Sequence, residues 1–370
     1  MARFTTSRYG VPVRPGDLDW NRPLPADRRG GGGTVTVGEA LSAVEAFLIA
    51  DDLGPVRTAL AAELGHPVTA DAVADVALSL EKHGAFYHPV RVTIHTDAGE
   101  RVDSCANLAV SEAGRAAADR EVALLRRLSA GENRRMIPEV HAAGTGNGMP
   151  VFLTHWFTGF SELHWSGPEA DRRLLIWSPA GRVALPPDAV PAVYASEAFI
   201  LATLYDPFTF EAVGPWHHEA GDFVIRYEGG KPSLRLITVR GYRPLSAGEP
   251  ADPAAILQAL LIFLVQTALQ TRIDRLDGVG DLVWGPDTAV GATLAGVFAG
   301  LAQRDTLFDL PRAFRSVLAG CDPADLAEVG EAVTEAHYAA GCPEAALIRA
   351  HAEAHAAALV REIRAFPGGA

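Results

Sequence analysis

Residues able to perform chemistry are concentrated in two short segments. His217, His218 and Asp222 lie within six positions of one another in PWHHEAGD. The second segment, HWFTGFSELHW, contributes His155, Glu162 and His164. Neutral imidazole and carboxylate oxygens are the usual ligands of zinc or ferrous iron, and histidine also serves as a general acid or base. The two segments therefore predict a metal site, an acid–base site or a polar ligand pocket.

The histidine pair has a structural alternative. On an extended segment neighbouring side chains point to opposite sides, so only one of His217 and His218 is expected to face a site. One imidazole would otherwise pack beneath Trp216 while the other is solvated. The spacing matches no recognised metal motif, and HAEAH at 351–355 lacks the glutamate that directly follows the first histidine in zinc-protease helices. That helix is expected to be solvated and rich in alanine.

A third polar segment is RIDRLDGVGD, at 272–281. Its charges alternate in sign, which favours an internal network of ion pairs. The alternative is that the same side chains form a polar wall for a substrate.

Composition limits the class of protein. The chain has 370 residues, of which 48% are hydrophobic, so it can fill two sizeable cores. Its formal net charge of −13 argues against a nucleic-acid partner and against an anionic membrane surface. Three cysteines without metal spacing, and no signal peptide, favour a cytoplasmic location. The apolar run at 255–265 predicts a buried helix that is too short to span a bilayer.

The first half of the chain has clear periodic patterns. Prolines and glycines predict a flexible segment over 1–35. Three helices are then expected, in VGEALSAVEAFLIADD, PVRTALAAEL and TADAVADVALSLEKHG, the last beginning at a capping Thr69. Alternating apolar residues around Asp97-Ala98-Gly99 predict a β-hairpin.

A helix containing DREVALLRRL and two strands around a Gly-Asn-Gly turn come next. Residues 90–157 thus follow the order strand, strand, helix, strand, strand, and the chain beyond 160 is expected to be mostly helical, with one hairpin after the histidine pair. The predicted fold class is α+β with two lobes. Residues 36–157 are expected to form a small antiparallel-sheet lobe with a helical N-terminal extension, and 158–370 a helical lobe, as the family resemblance given next implies.

This order of elements, over roughly residues 88–300, resembles the protein-kinase-like fold in its aminoglycoside and choline phosphotransferase branch. IPEVHAAG is similar to the Ile-Pro-x-Val strand of that branch, and VFLTHWFTGF to its last small-lobe strand and hinge. HHEAGDFVI resembles the catalytic loop, and LRLITV resembles the strand that ends in a metal-binding aspartate.

The resemblance assigns roles to individual positions, and most of the expected residues are replaced. Glu121, in DREVALLRRL, takes the place of the glutamate that pairs with the phosphate-binding lysine, but that lysine falls near Asn107. Aligning Asp222 with the loop asparagine puts His217 at the catalytic aspartate, and Thr238 stands at the metal-binding aspartate. Phosphoryl transfer depends on positioning and charge neutralisation by those groups. The replacements argue against ordinary ATP-dependent phosphotransfer.

Aromatic residues near the expected cleft favour a binding site for a planar or apolar molecule or a peptide side chain. The predicted ligand-binding residues are His155, Trp156, Glu162, His164, Trp216 and Thr238, with Asn107 and Glu121 as degenerate nucleotide positions. The predicted function is a degenerate kinase-like protein that binds a small molecule or a protein or peptide partner, as an accessory protein of a bacterial biosynthetic or regulatory pathway. Two alternatives stay open: an enzyme that reuses the cleft with His217, His218 and Asp222 as catalytic residues, and a divergent phosphotransferase. The sequence identifies no cofactor.

Overall fold

The protein has a mixed α/β fold. The computed structural model describes residues 2–24, 35–84, 86–214, 216, 218, 221–239, 241–246, 252–303 and 309–366. The chain divides into two compact units, Met1–Thr158 and Gly159–Ala370, called unit 1 and unit 2 below.

Unit 1 contains a seven-stranded sheet and two helices. Its strands are β1 (Arg3–Arg8), β2 (Val11–Pro12), β3 (Val73–Leu80), β4 (His88–Thr96), β5 (Arg101–Leu108), β6 (Val140–Gly146) and β7 (Met149–His155). Their order in the sheet is β2-β1-β3-β4-β5-β7-β6, and only β1 and β3 run parallel. Helix α1 (Val37–Leu64) precedes β3, and α2 (Glu112–Leu128) connects β5 to β6.

Helix α1 supplies one side of the unit 1 core. Thr36 and Glu39 form a capping box at its start, in which each side chain accepts a hydrogen bond from the other residue's backbone N–H. The helix breaks at Ala50–Leu53, and Pro55 lies in the first turn after the break. The two helical stretches predicted from sequence are therefore confirmed, and their apolar side chains are buried against the sheet.

The third predicted helix is wrong. Thr69 precedes only a short 3₁₀ turn, Ala70–Ala72, and the residues after it form β3. Val76, Leu78 and Leu80 are buried at a spacing of two, which is the period of a strand with one face in the core. Short apolar runs with β-branched residues fit either element, and pairing with β1 and β4 decides here for the strand.

The N-terminal segment also differs from expectation. Arg3–Arg8, expected to be flexible, forms β1 and pairs in parallel with β3 from Arg3↔Asp75 to Arg8↔Leu80. The partner strand lies about seventy residues away in the sequence, so local composition carries no signal for this pairing. Residues 25–34 lie outside the described part of the chain.

The two hairpins of unit 1 are confirmed. β4 and β5 are joined by the Asp97-Ala98-Gly99 turn, where Gly99 has φ of 82°. β6 and β7 are joined through Asn147 and Gly148, whose φ values of 48° and 76° suit a tight hairpin turn of the primed type. The predicted order of strand, strand, helix, strand, strand over 90–157 holds.

Unit 2 contains six helices and nine short strands among its described residues. The helices are α3 (Val190–Leu204), α4 (Pro253–Gln270), α5 (Thr288–Leu301), α6 (Leu310–Gly320), α7 (Pro323–His337) and α8 (Pro343–Ala365). The strands are β8 (Glu162–Ser166), β9 (Arg173–Ser178), β10 (Gly181–Ala184), β11 (Glu211–Ala212), β12 (Phe223–Glu228), β13 (Lys231–Leu236), β14 (Arg243–Pro244), β15 (Ile273–Arg275) and β16 (Leu282–Trp284).

Unit 2 holds more strand than the sequence indicated. The β12–β13 hairpin is confirmed, but the three-stranded sheet β10-β9-β8 occupies a region expected to be mostly helical. The buried helix predicted from the apolar run at 255–265 spans Pro253–Gln270, and β15 follows it. Within the described part of the chain, α4 is the one helix long and apolar enough to cross a membrane by length and composition, and 61% of it is buried in the protein, as in a core helix.

Candidate functional site

The predicted site residues divide between the two units. Asn107, Glu121, His155 and Trp156 belong to unit 1, and Glu162, His164, Trp216, His218, Asp222 and Thr238 belong to unit 2. His217 lies outside the described residues.

The loop before β12 is positioned by short strand pairs. β11 pairs with β14, and β12 pairs with β13 from Phe223↔Leu236 outward. Asp222 and Thr238 therefore flank the base of the hairpin, where the Ile237 N–H donates to the Asp222 carbonyl oxygen at 2.8 Å. Both side chains are buried, so Asp222 and Thr238 belong to the interior of unit 2.

His218 is enclosed by aromatic residues and by a buried acid. The Trp216 ring meets the rings of His218 and Phe223 edge to face, each with centroids 5.1 Å apart. His218 Nε2 lies 3.6 Å from Glu197 Oε2 of α3. Glu197 has no exposed surface, and burial, together with the nearby charge of Asp274, raises the pKa of its carboxyl well above the usual value.

A second buried cluster is formed by His164 of β8. Its Nε2 lies 3.4 Å from Glu162 Oε2, and its Nδ1 lies 3.8 Å from Asp274 Oδ1 of β15. Burial alone would lower the pKa of His164, but the two carboxylates outweigh it and raise the pKa to about 9. His164 is thus an imidazolium at neutral pH and has no lone pair for a metal ion or a proton.

Asp274 ties this cluster to the backbone. Its carboxylate accepts hydrogen bonds from the N–H of Trp165 at 3.0 Å and from the N–H of Arg275 at 2.8 Å. The Trp165 indole N–H donates to the Tyr194 hydroxyl of α3 at 3.1 Å. The cluster therefore joins β8, β15 and α3, as expected of a group that stabilises the fold.

The charged segment RIDRLDGVGD forms ion pairs with other parts of unit 2. Among described residues, Arg272 donates to Asp287 at 2.7 Å, Arg275 donates to Glu344, and Asp277 accepts from Arg182 at 3.2 Å. Each charge thus fixes the segment to another part of unit 2.

The HAEAH helix, expected to be solvated, is partly internal. His355 of α8 is 4% exposed and lies beside Arg272, with 3.3 Å between His355 Nδ1 and Arg272 Nη1. Burial and the charge of Arg272 lower the pKa of His355 to about 3. His351 stacks on Trp284 with ring centroids 4.8 Å apart. One face of this alanine-rich helix is therefore covered by β16 and its neighbours.

In unit 1 the two residues predicted as degenerate nucleotide positions, Asn107 and Glu121, are neutral or enclosed. The Asn107 amide of β5 donates to the Thr154 hydroxyl of β7 at 3.4 Å. Glu121, on α2, is 2% exposed. β5 contains no lysine, and Arg101 at its start pairs with Asp103 at 3.2 Å. Trp156 follows β7, and its ring centre lies 5.3 Å from the Arg91 guanidinium.

His155, at the end of β7, is brought together with two residues that sequence reasoning did not single out. Its Nδ1 lies 2.6 Å from Glu63 Oε1 of α1, and His141 Nε2 of β6 lies 3.1 Å from the same oxygen. Burial would raise the pKa of Glu63, but its contacts with the two imidazoles outweigh burial and lower the pKa to about 2. Glu63 lies 92 positions before His155, so no local pattern could have joined them.

No family model matches this chain, and no curated protein matches it significantly. The functional argument therefore rests on the geometry of the two units.

Proposed function

We propose that this protein has a protein-kinase-like fold and binds a small molecule or a peptide without transferring phosphate. The observation that carries the proposal is the strand order β3-β4-β5-β7-β6 in unit 1, with α2 inserted between β5 and β6 and with Asn107, not lysine, on β5. Protein kinases place the phosphate lysine on the third strand and its glutamate partner on the helix that follows. The proposal assigns β5, the third strand counted from β3, and Glu121 of α2 to those places.

Unit 2 supports the same proposal. The loop with His218 lies between α3 and the β12–β13 hairpin. In the sequence, β11 precedes this hairpin and β14 follows it, and these two strands pair with each other. In the kinase-like arrangement the loop before the hairpin is catalytic and the residue after it binds a metal ion. The proposal assigns Asp222 and Thr238 to those two positions.

The absence of phosphotransfer follows from charge. Transfer needs a lysine on the phosphates and anionic ligands for magnesium, because the transition state spreads negative charge over the phosphoryl oxygens. Asn107 and Thr238 are neutral at two of those places. A protein that keeps the fold and loses these charges is suited to recognition, and it would serve as an accessory component of a biosynthetic or regulatory pathway.

The alternative of a metal-dependent or acid–base enzyme built on unit 2 is less well supported. His164 is held as an imidazolium by Glu162 and Asp274, and His218 is covered by Trp216 and faces Glu197. A general base needs a free lone pair within reach of substrate, and neither described imidazole meets that requirement.

Calorimetric titration with magnesium and ATP tests the proposal. The wild-type protein should bind the nucleotide with a Kd above about 1 mM, which corresponds to about 4 kcal/mol of binding free energy. Restoring both charges, with Asn107→Lys and Thr238→Asp together, should strengthen binding at least about tenfold. Asn21→Lys with Thr288→Asp makes the same charge changes at exposed positions and serves as the control.

Two results would overturn the proposal. Micromolar, magnesium-dependent binding by the wild-type protein would show that the chain retains a working nucleotide site. Equal affinities for the restored variant and the control, with both folded by circular dichroism, would show that Asn107 and Thr238 do not occupy the kinase-like positions.

A further inference from the structure

Unit 1 contains a cluster that the proposed function does not use. Glu63 comes from the second half of α1, His141 from the edge strand β6 and His155 from the end of β7. The Glu63 Oε1 atom lies 3.1 Å from His141 Nε2 and 2.6 Å from His155 Nδ1. Each of the three residues offers one ligand atom, and these atoms all lie within 4.8 Å of one another.

The backbone of β6 is adapted to this cluster. The β6–β7 register shifts between Val140 and Ala142, so His141 is the extra residue of a β-bulge. Bulges redirect a side chain and are frequent beside functional sites. In a regular strand, successive side chains point to opposite faces of the sheet, so the position of His141 in β6 would decide which face it meets. The bulge removes this constraint.

His141 is buried in a way that a ligand would explain. Its side chain has no exposed surface, and its Nε2, although 3.1 Å from Glu63 Oε1, makes no hydrogen bond among the residues that the structure describes. A buried polar atom without a partner costs free energy, and a protein retains one where it has another use. The Nε2 atom faces Glu63, so its lone pair could bind a metal ion held between the imidazole and the carboxylate.

The geometry points to a divalent metal site, and we propose that Glu63 Oε1, His141 Nε2 and His155 Nδ1 bind one Zn²⁺ ion. Two imidazoles and one carboxylate form a known zinc ligand set in which a fourth position stays open. Tetrahedral zinc with bonds of about 2.0–2.2 Å places its ligand atoms about 3.3 Å apart. The two distances from Glu63 Oε1, 3.1 and 2.6 Å, differ from that spacing by less than about 1 Å.

The cluster is accessible for a fourth ligand. The side chains of Glu63 and His155 are 26% and 31% exposed, so a water molecule can complete the coordination. A surface groove of about 830 Å³ is lined in part by Ala61 and Ala142, which are close chain neighbours of Glu63 and His141. The exposed parts of the Glu63 and His155 side chains leave the cluster open to an ion from solvent.

The same sheet provides a matched comparison. His95 Nδ1 lies 3.0 Å from Asp75 Oδ1, but that pair has no third ligand among the described residues. An ordinary histidine–carboxylate pair should hold zinc weakly, whereas three convergent ligands should hold it tightly. His95→Gln therefore controls for the loss of one paired histidine.

The experiment is a zinc titration of the full chain after treatment with a chelator and its removal. Wild-type protein should bind one zinc ion per chain, and Glu63→Gln or His155→Gln should weaken binding at least about 100-fold. His95→Gln should stay within about threefold of wild type. Circular dichroism establishes that each variant is folded before the titration.

A second measurement does not depend on comparing affinities between variants. Co²⁺ added to the wild-type protein should give the visible absorption of a tetrahedral site, and zinc should displace it. The proposal is overturned if folded Glu63→Gln binds zinc as tightly as wild type, if His95→Gln loses as much affinity as His155→Gln, or if wild-type protein binds no zinc. None of these results depends on nucleotide binding, so the two proposals fail separately.

Discussion

At the scale of single residues, burial decides which chemistry a titratable side chain can perform. His164, Glu162 and Asp274 have the residue types of a catalytic or metal site, but they lie in an arrangement that fixes the charge on the imidazole. Glu197 has the opposite condition, because burial and the charge of Asp274 favour its neutral form. The hydrogen bonds of Asp274 and Trp165 join β8, β15 and α3.

The His164 cluster predicts a specific dependence of stability on pH. A folded-state pKa raised from 6.5 to about 9 stabilises the protein fully below the unfolded value, and this stabilisation is lost as pH rises through about 9. The shift corresponds to about 3 kcal/mol. Replacing His164 by Gln should therefore destabilise the protein by that order at pH 6 and much less at pH 9.5, as measured by urea unfolding.

Other groups titrate equally in wild type and variant, so the difference between their free energies of unfolding reports the contribution of His164. His66→Gln removes a histidine from the exposed surface of unit 1 and controls for the substitution itself. A His164→Gln cost that is the same at pH 6 and pH 9.5 would mean that folding does not raise the pKa of His164.

At the scale of elements, two helices of unit 2 approach closely enough to require glycine. A Cβ atom at Gly296 of α5 would overlap the backbone carbonyl oxygen of Ala195 on α3, and one at Gly300 would lie 2.7 Å from the carbonyl oxygen of Phe199. Backbone cannot rotate away as a flexible side chain can. The four-residue spacing places both glycines on one face of α5, which is the face against α3.

Gly296→Ala should destabilise unit 2 by about 1 to 3 kcal/mol, the usual cost of overpacking, even though alanine favours helix. Gly320→Ala is the matched control, since a Cβ atom there meets no other atom within 4 Å. Its effect should stay within about 1 kcal/mol. Thermal and urea unfolding of both variants measure the difference, and equal stabilities would show that α3 and α5 can separate without cost.

At the scale of the whole molecule, the chain consists of two compact units that meet in sequence between Thr158 and Gly159. Unit 1 has its own apolar core, formed by α1 and the inner face of the sheet. Unit 2 has a separate set of buried residues on its helices. Units with cores of their own are expected to fold independently.

A fragment of residues 1–158 should therefore fold alone. We expect a cooperative thermal transition and a circular dichroism spectrum with both helix and strand. Phe4→Asp is a useful comparison, because it places a charge on a residue that packs against the unit 1 core and should lower the transition temperature. A fragment without a cooperative transition would show that unit 1 needs the rest of the chain to fold.

Local patterns in the sequence determined the hairpins, the two halves of α1 and most of the long helices. The Asn147-Gly148 turn and the capping box at Thr36 and Glu39 act between residues a few positions apart. Periodicity and turn chemistry report such contacts directly, because the residues that interact are neighbours in the chain.

Tertiary structure alone decided the identity of β3 and the composition of both polar clusters. Val73–Leu80 is a strand because β1 and β4 lie beside it, although its pattern also fits a helix. Asp274 meets Trp165 from 109 positions away, and Glu63 meets His155 from 92. Such contacts depend on strand pairing and helix packing, which no local spacing encodes. The residue types of a site were therefore visible in the sequence, but their partners, burial and protonation were set by the fold.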